Sequence, residues 1–390
     1  MQTARIAIVG AGLSGLYAAF LLAQKGITDY VLLEARDTLG GRIASTTASG
    51  HPAAETATVV DGIDRFDLGA TWFWPGYQRQ LDRLVSELGL ERFEQQDSGD
   101  MVVERSPDQS PTRMRGYVNS PASMRLVGGM GALINALHRR LDSTRIFTGQ
   151  TVRRLRSTDR HVELDSEDAS GRVTAWRVEH VLLAMPPRLV EDGIEFSPAL
   201  PQALARQWRA TATWMAPHAK YIAIYETAFW REQGLSGEAR SAHEPLGEIH
   251  DASMPNGSAA LFGFFGVPAR VRKSMPEDVL RSHCRAQLAR LFGSPAATPK
   301  AEVIKDWALD PYTATAADLD GAVHHAEAPA ATVSFGPWRG RLTGIASEWS
   351  PQFPGYVAGA IEAASLGVQA LPAFAVREDN RSASHIPSSN

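Results

Sequence analysis

The chain has 390 residues, of which 44% are hydrophobic and 21% are charged, a composition typical of a globular protein with room for two sizeable cores. A formal net charge of -4 provides no basic excess for nucleic acid or an anionic membrane, and the one cysteine, Cys284, excludes an internal disulfide and a multi-thiolate metal site. No apolar stretch approaches the ~20 residues of a membrane span and no signal peptide pattern begins the chain, so we expect a soluble, cytoplasmic protein.

The N-terminal residues have the pattern of strand, glycine turn, helix and strand. Ile6 to Val9 is apolar and rich in β-branched residues, and Ser14 to Lys25 has apolar residues at helical spacing before Gly26 ends the run. Tyr30 to Leu33 is the next predicted strand. This order predicts one βαβ unit of a parallel sheet.

The next stretch, from about Gln78 to Met124, is helical at first and then loose and polar, with breaks at Pro107, Pro111 and Pro121. We interpret it as an insertion.

The remaining predicted elements alternate between strands and helices. Val181 to Met185 is apolar throughout, as in a strand buried on both faces, and Pro186 ends it. Thr151 to Leu155, His161 to Leu164 and Arg172 to Val178 are predicted to be the strands of an antiparallel meander. Ala219 to Tyr225 and Ala259 to Phe265 are further predicted strands, and the predicted helices are Glu277 to Phe292 and Gly359 to Leu371. Residues after Val376 have little to bury and are predicted to be disordered.

A glycine motif lies between the first strand and the first helix, where it is typical of a dinucleotide site. Gly10 permits the tight turn, Gly12 lets the backbone approach a pyrophosphate, and Gly15 lets the helix lie close to the strand. Glu34, at the end of the second strand, is placed to bind a ribose diol and to repel a 2′-phosphate, which argues against NADP. These residues by themselves are compatible with binding of either FAD or NAD.

Gly40-Gly41-Arg42 favours FAD, because two small residues and a guanidinium can close over the same pyrophosphate. At this point the sequence resembles the flavin-containing amine oxidase (monoamine oxidase-like) family. Four further segments resemble that family in the correct order: the isoalloxazine segment Asp67 to Trp72, the second glycine stretch Arg125 to Leu133, the adenine-binding Val152 and the strand end Leu182 to Pro187.

The resemblance extends to the C-terminal half. Lys220, followed by Phe229-Trp230, resembles the family's lysine that holds a water against flavin N5, where an ammonium would stabilise negative charge developing on oxygen. Ser347 to Glu362 resembles the closing motif. It implies that Gly355-Tyr356-Val357 starts a helix aimed at the flavin N1 and C2 carbonyl, and that Tyr356 is one wall of an aromatic cage.

Three departures from the family pattern affect these expectations. The second aromatic wall would fall near Ala316-Ala317, so the cage lacks one side. The cysteine that some relatives bond to the flavin is absent from the same place, which implies non-covalent FAD. Ala346 replaces a favoured glycine before Ser347-Glu348 and could shift the ribityl chain. Apart from these three departures, the insertion between residues 78 and 125 is shorter than in the family's mitochondrial members, which suggests a more open entrance to the substrate cavity.

Other polar and aromatic residues are weaker candidates, for which packing or surface roles are the simpler interpretation. They are His218, His250, Asp251, Trp74, Tyr312 and Trp307. The histidines lack metal spacing, so no metal site is predicted.

The predicted fold is α/β and α+β: a Rossmann-like FAD-binding domain of the GR2 type with a parallel sheet, and a substrate-binding domain of mixed sheet and helices. The FAD-binding domain comprises residues 1–78, 125–208 and 310–377, the substrate-binding domain 79–124 and 209–309, and the disordered tail 378–390. The predicted catalytic residues are Lys220, Tyr356 and Trp72. The predicted cofactor-binding residues are Gly10, Gly12, Leu13, Ser14, Gly15, Glu34, Ala35, Arg36, Gly41, Arg42, Gly69, Ala70, Thr71, Trp72, Val152, Ala184, Ser347, Glu348, Gly355, Tyr356 and Val357.

The resemblance implies an enzyme that transfers a hydride from an amine to flavin N5, yields an imine and reduces O2 to H2O2. Two alternatives stay open at this point: a flavin desaturase or isomerase acting on a carbon skeleton, and a non-catalytic binding protein. The expected partners are a small amine and O2, without nucleic acid or membrane, and a homodimer is left open.

Overall fold

The computed structural model describes residues 1–50, 64–106, 108–116, 120–319 and 327–372. Pro107 and the predicted tail lie outside the described residues. Strands and helices are numbered along the chain. The helices are α1 (Leu13–Gln24), α2 (Arg79–Glu87), α3 (Gly131–His138), α4 (Pro187–Gly193), α5 (Gln202–Ala210), α6 (Phe229–Glu232), α7 (Ala269–Lys273), α8 (Glu277–Phe292) and α9 (Val357–Gln369).

A five-stranded parallel sheet contains the predicted βαβ unit and confirms it. The strands in spatial order are β10 (Ile146–Phe147), β3 (Tyr30–Leu33), β2 (Ile6–Val9), β14 (His180–Leu183) and β21 (Leu342–Gly344). All neighbouring pairs run parallel, with Ile6 opposite both Tyr30 and His180. The apolar run at 181–185 is therefore a central strand, as predicted.

This parallel sheet is buried on both faces because successive side chains of a strand point to opposite sides. Ile6 and Ile8 pack with helices α1, α3 and α9 on one face. Ala7 and Val9 pack on the other face, among side chains of a second sheet such as Leu155.

The second sheet confirms the predicted antiparallel meander at its centre. Its spatial order is β1 (Gln2–Thr3), β13 (Val173–Val178), β12 (Val162–Glu167), β11 (Thr151–Ser157) and β15 (Glu195–Ser197). β11, β12 and β13 pair antiparallel, while β1 and β15 add parallel edge strands.

A seven-stranded sheet forms the other half of the molecule. Its spatial order is β20 (Ala301–Asp306), β16 (Ala219–Tyr225), β19 (Ala259–Phe265), β18 (Leu246–Asp251), β17 (Leu235–Ser241), β7 (Asp100–Glu104) and β8 (Thr112–Arg115). Helix α8 packs Leu280, Cys284 and Leu288 into the core of this sheet. Two small two-stranded sheets pair β4 (Ser45–Thr47) with β5 (Arg65–Asp67), and β6 (Arg92–Glu94) with β9 (Met124–Leu126).

The expectation of a loose stretch before residue 124 is wrong at β7 and β8. These strands form because β17 offers a free edge to β7, which then pairs with β8. The sequence of β8, TRMR, has one apolar residue, Met114, and therefore no alternation of apolar and polar residues that would predict a strand; all four of its residues are exposed. The domain boundaries given above stay a prediction.

The described part of the chain holds no helix that combines the length and the apolar character needed to cross a bilayer.

Candidate active site

A cavity of about 780 Å³ lies at the carboxyl ends of β2, β3 and β14, the edge of a parallel sheet where ligands bind in such folds. It continues to the seven-stranded sheet through Lys220 and Phe264. Every predicted site residue lines this cavity except Gly15 and Glu348. We call the part lined by Gly10, 12–14, 34–36, 152 and 184 the dinucleotide end, and the part lined by 69–72, Lys220, Phe264 and Trp307 the lysine end.

The turn after β2 requires glycine, because it leaves no room for a Cβ at two of its positions. Gly10 has φ +103°, and a Cβ there would lie 2.8 Å from the carbonyl oxygen of Ala184. A Cβ on Gly15 would lie 2.0 Å from the carbonyl oxygen of Gly10, which explains why Gly15 packs behind the turn rather than lining the cavity. Helix α1 begins after Gly12 with no side-chain cap, so its first N–H groups can bind a phosphate.

Glu34 is held at the dinucleotide end by two backbone groups. Its Oε2 accepts a hydrogen bond from the N–H of Ala11 at 2.7 Å, and its Oε1 accepts one from the N–H of Arg36 at 2.9 Å. The side chain is buried. A fixed carboxylate at the end of β3 is suited to the two hydroxyls of a ribose.

Arg42 lines the cavity, and its guanidinium forms an ion pair with the carboxylate of Glu348. Its Nη1 lies 2.6 Å from Oε1 of Glu348, and its Nη2 lies 2.9 Å from Oε2. Burial pushes the pKa of Glu348 up, but the charge and hydrogen bonds of Arg42 outweigh burial and leave that pKa below its usual value. Glu348 therefore acts on the cavity through Arg42.

Lys220 is the buried cation of the lysine end. Its Nζ donates to the carbonyl oxygens of Asp67 at 2.9 Å and Gly69 at 2.8 Å, and to Oγ1 of Thr71 at 2.8 Å. These three acceptors use all the N–H bonds of an ammonium. Burial lowers the pKa of Lys220, and the charge of the Asp67 carboxylate opposes that shift.

Tyr356 stacks on Trp214 in the cavity wall. The ring centroids are 6.3 Å apart and the planes differ by 28°. Gly355 makes this packing possible, because a Cβ there would lie 2.6 Å from Cβ of Trp214. Ala316 and Ala317, where the family pattern would put the missing second wall, belong to a short 3-10 turn (Ala316–Asp318) and do not line the cavity.

The weaker candidates separate into two groups. Trp74, His218, Trp307 and Tyr312 line the cavity with Trp72. His250 and Asp251 do not: His250 bonds to Glu248, and Asp251 accepts hydrogen bonds from Trp230 and Arg231. The described residues contain no group of three or more His, Cys, Asp or Glu side chains arranged to hold a metal ion.

Sequence reasoning missed several lining residues. Trp214, Met215 and Phe264 line the cavity, yet none belongs to a recognised motif. Met215 has φ +64°, a left-handed backbone conformation that is uncommon for methionine and could not be predicted from the sequence.

Comparison with known proteins adds to this geometry. A sequence profile of the family described as "Flavin containing amine oxidoreductase" matches residues 111–371, and one described as "NAD(P)-binding Rossmann-like domain" matches residues 8–88. The chain belongs to the flavin containing amine oxidoreductase family. It is therefore an oxidoreductase acting on CH–NH bonds, and the predictions of enzyme class and of FAD as cofactor are confirmed.

Members of this family with similar sequences include two that match along most of their length. A putrescine oxidase of Kocuria rosea is 25% identical over 88% of this chain and 90% of its own. A probable flavin-containing monoamine oxidase A of Dictyostelium discoideum is 23% identical over 92% of this chain and 95% of its own. A solved putrescine oxidase variant covers 94% of this chain and 98% of its own with TM-score 0.76 at 20% identity, a likeness of fold.

The residues of this flavin containing amine oxidoreductase fit FAD. A Cβ would clash with neighbouring backbone at Gly10 and at Gly15, and Glu34 and Arg42 supply an acceptor and a cation beside this glycine turn. The cavity volume lies near the upper part of the range of about 300–1,000 Å³ for small-molecule sites.

Proposed function

We propose that this protein oxidises a primary monoamine to an imine with FAD, and that O2 is the final electron acceptor and H2O2 the product. When bound, the flavin supplies at N5 the acceptor for a hydride from the α-carbon of the amine. The observation that carries the proposal is Lys220, a buried cation in the wall of the same cavity that the glycine turn opens.

The residues of the chain bind the dinucleotide, orient the flavin ring and exclude water from it. The N-terminus of α1, Glu34 and Arg42 hold the dinucleotide, and the N-terminus of α9 after Tyr356 offers uncapped N–H groups to the ring. Lys220 provides a fixed positive charge where negative charge develops on oxygen. Trp72 and Trp307 keep the lysine end apolar around that charge.

The cofactor is held without a covalent bond in this proposal. Ala316 and Ala317 lie near the place where some relatives carry a flavin-bonded cysteine, and Cys284, a residue of α8, is buried in the core between that helix and the seven-stranded sheet. FAD released intact by acid precipitation supports this statement, and flavin that stays with the precipitate contradicts it.

The substrate is proposed to carry a single amino group on an apolar or aromatic body. The carboxylates among the described lining residues are Glu34 and Asp192, and neither belongs to the lysine end. A diamine would bring a second ammonium there without a partner, and burying an unpaired charge is costly. Lys220 is engaged by three acceptors, so it is a poor clamp for an amino-acid carboxylate.

Peroxide release tests the proposal directly. The purified protein is scanned for a flavin absorption spectrum and then mixed with benzylamine, putrescine and L-phenylalanine. We expect a bound flavin and the fastest peroxide release with benzylamine. Flavin binding with no peroxide from any amine contradicts the oxidase function, and faster release with putrescine contradicts the monoamine preference.

A further inference from the structure

Asp67 is a buried carboxylate next to the lysine end. It is the last residue of β5, and it does not line the cavity itself. Its Oδ1 accepts a hydrogen bond from the N–H of Met130, just before α3, at 2.7 Å. The hydroxyl of Ser45, the residue opposite Asp67 in the β4–β5 pair, lies 3.4 Å from the same oxygen. The carboxylate is therefore fixed in place by two neighbouring segments.

The second glycine stretch of the sequence makes this contact with Met130 possible. Gly129 has φ +71°, and a Cβ there would lie 2.6 Å from Oδ1 of Asp67. A side chain at this position would push the carboxylate away from the N–H that it binds. The glycine thus has a structural task that depends on Asp67.

The segment that begins at Asp67 holds the ammonium of Lys220. Its Nζ donates to the carbonyl oxygen of Asp67 itself at 2.9 Å, to that of Gly69 at 2.8 Å and to Oγ1 of Thr71 at 2.8 Å. All three acceptors belong to five consecutive residues. The anchor of Asp67 at Met130 therefore helps to set the position of the lysine charge.

The charge of Asp67 is shared by two buried cations, Lys220 and Arg125. Burial raises the pKa of Asp67, and the charges of Lys220 and Arg125 oppose that shift. Its second oxygen, Oδ2, has no hydrogen bond to the described residues, so these two charges are its main stabilisation. Arg125 donates to the carbonyl oxygens of Ala252 and Ser253, which carry no net charge. Without Asp67, two cations would be buried close to one another with no shared carboxylate, which is costly.

The other charged groups around Lys220 are engaged with one another. Nearby ion pairs join Lys305 to Asp310, Glu248 to His250 and Arg240, and Asp251 to Arg231.

Uncharged groups fill the rest of the space around the ammonium. The rings of Phe262 and Phe264 lie 4.3 and 5.3 Å from Nζ of Lys220, measured to their centroids. Burial favours the neutral form of His218, because it lowers the pKa of that imidazole. The carboxylate whose charge favours the ammonium form of Lys220 is that of Asp67, while the charge of Arg125 opposes it.

We propose that Asp67 is a positioning residue for Lys220: its carboxylate anchors the segment that holds the ammonium and supplies the negative charge that keeps this buried lysine ionised when O2 is reduced. This inference rests on the proposed oxidase function and assigns a role to a residue outside the cavity. Asp67 acts through Lys220 and touches neither the amine nor the cofactor.

Urea unfolding of the FAD-loaded protein tests the pairing without any reaction. Asp67→Asn removes the charge and keeps an oxygen for the N–H of Met130. We expect it to lower the urea midpoint clearly in the wild-type background, because Lys220 loses its counter-charge, and by less in the Lys220→Met background.

The same comparison separates charge from anchoring. Equal losses in both backgrounds would mean that Asp67 only anchors the segment, which overturns the inference. Folding of the double variant without folding of Asp67→Asn is the extreme form of the expected result. Failure of both to fold would also assign Asp67 to anchoring alone and overturn the inference.

The pH profile of reoxidation tests the consequence for the reaction. The FAD-loaded protein is reduced by light and mixed with O2, so that no amine is needed. Fast reoxidation should be lost as pH rises and Lys220 loses its proton. In Asp67→Asn this loss should occur about 1 pH unit lower than in wild type, because a nearby opposite charge no longer favours the ammonium. At high pH the variant should be as slow as Lys220→Met, and near pH 6 it should approach wild type.

The control for charge is Glu226→Gln, which removes an exposed carboxylate and should follow the wild-type profile. A profile of Asp67→Asn that equals wild type, or that is slower by the same factor at every pH, overturns the inference. A wild-type protein that shows the lysine-dependent profile after reduction by light, but releases no peroxide with any amine, contradicts the proposed function and leaves the role of Asp67 in place.

Discussion

The guanidinium of Arg42 holds the carboxylate of Glu348 through two hydrogen bonds of 2.6 and 2.9 Å, although 306 residues separate them in the chain. The pair joins the glycine segment after β3 to the segment before α9. Glu348 is 3% exposed at its side chain and Arg42 is 26% exposed, so the carboxylate depends on the pair more than the guanidinium does.

Replacing Arg42 should lower the free energy of unfolding more than replacing Glu348 does. We expect Arg42→Met to lower the free energy of unfolding by about 3 kcal/mol, because it leaves a buried carboxylate without its cation. Glu348→Gln keeps the shape and should cost about 1 kcal/mol. Urea unfolding measures both, and Arg209→Met is the control because its ion pair with Glu191 is exposed on the arginine side. Equal midpoints for Arg42→Met and Arg209→Met would contradict this account.

At acidic pH, the higher free energy of unfolding of wild type relative to Glu348→Gln should disappear. The pKa of Glu348 in the folded protein is below its usual value of 4.5, so its ionisation stabilises the fold above pH 4.5. That contribution is lost as pH falls through the lowered pKa. We expect the difference in unfolding free energy between the two proteins to be constant from pH 7 to 5 and to shrink below 4.5. A difference that grows on acidification would reverse the sign of the argument.

Lys220→Met should separate the two halves of the reaction. We expect FAD to remain bound and reoxidation by O2 to slow about 100-fold, the typical effect of removing one electrostatic stabiliser, with a smaller effect on reduction by the amine. Stopped-flow absorbance follows both steps. Lys300→Met, which removes an exposed ion pair with Glu226, should leave both rates unchanged. Wild-type reoxidation in Lys220→Met would remove the lysine from the mechanism.

Tyr356 should act through its ring. We expect Tyr356→Ala to raise KM for the amine about 10-fold, because the stack on Trp214 loses one member, and Tyr356→Phe to stay close to wild type. Steady-state peroxide release measures the change. Tyr77→Ala is the matched control, since Tyr77 is 68% exposed. A phenylalanine variant as weak as the alanine variant would assign the role to the hydroxyl instead.

Gly15→Ala should destroy the dinucleotide end. The added methyl group would lie 2.0 Å from the carbonyl oxygen of Gly10, so the helix and the turn must separate. We expect loss of bound FAD and a lower unfolding temperature. Gly76→Ala has nothing within 4 Å of its new methyl group and should change stability by no more than about 0.5 kcal/mol. Normal FAD content in Gly15→Ala would show that the turn tolerates a Cβ.

Much of the fold could be predicted because its signals are local. The strands β2, β3 and β14 are short apolar runs, with Gly10 after β2, Glu34 after β3 and Pro186 shortly after β14, and α8 begins after Pro276 as its sequence indicates. The strands β7 and β8 could not be predicted, because pairing with an edge far along the chain creates them. Similarly, Trp214 carries no motif, and only packing against Gly355 brings it to Tyr356.

The sequence by itself determined the dinucleotide end, since a glycine turn, a following helix and an acid at the end of the next strand are fixed by short-range geometry within one βαβ unit. Tertiary structure decided which partners the charged groups have: Glu348 for Arg42, and the Asp67 to Thr71 segment for Lys220. Those partners come from distant segments, and side-chain hydrogen bonds depend on positions to within a few tenths of an ångström, which residue order alone does not specify.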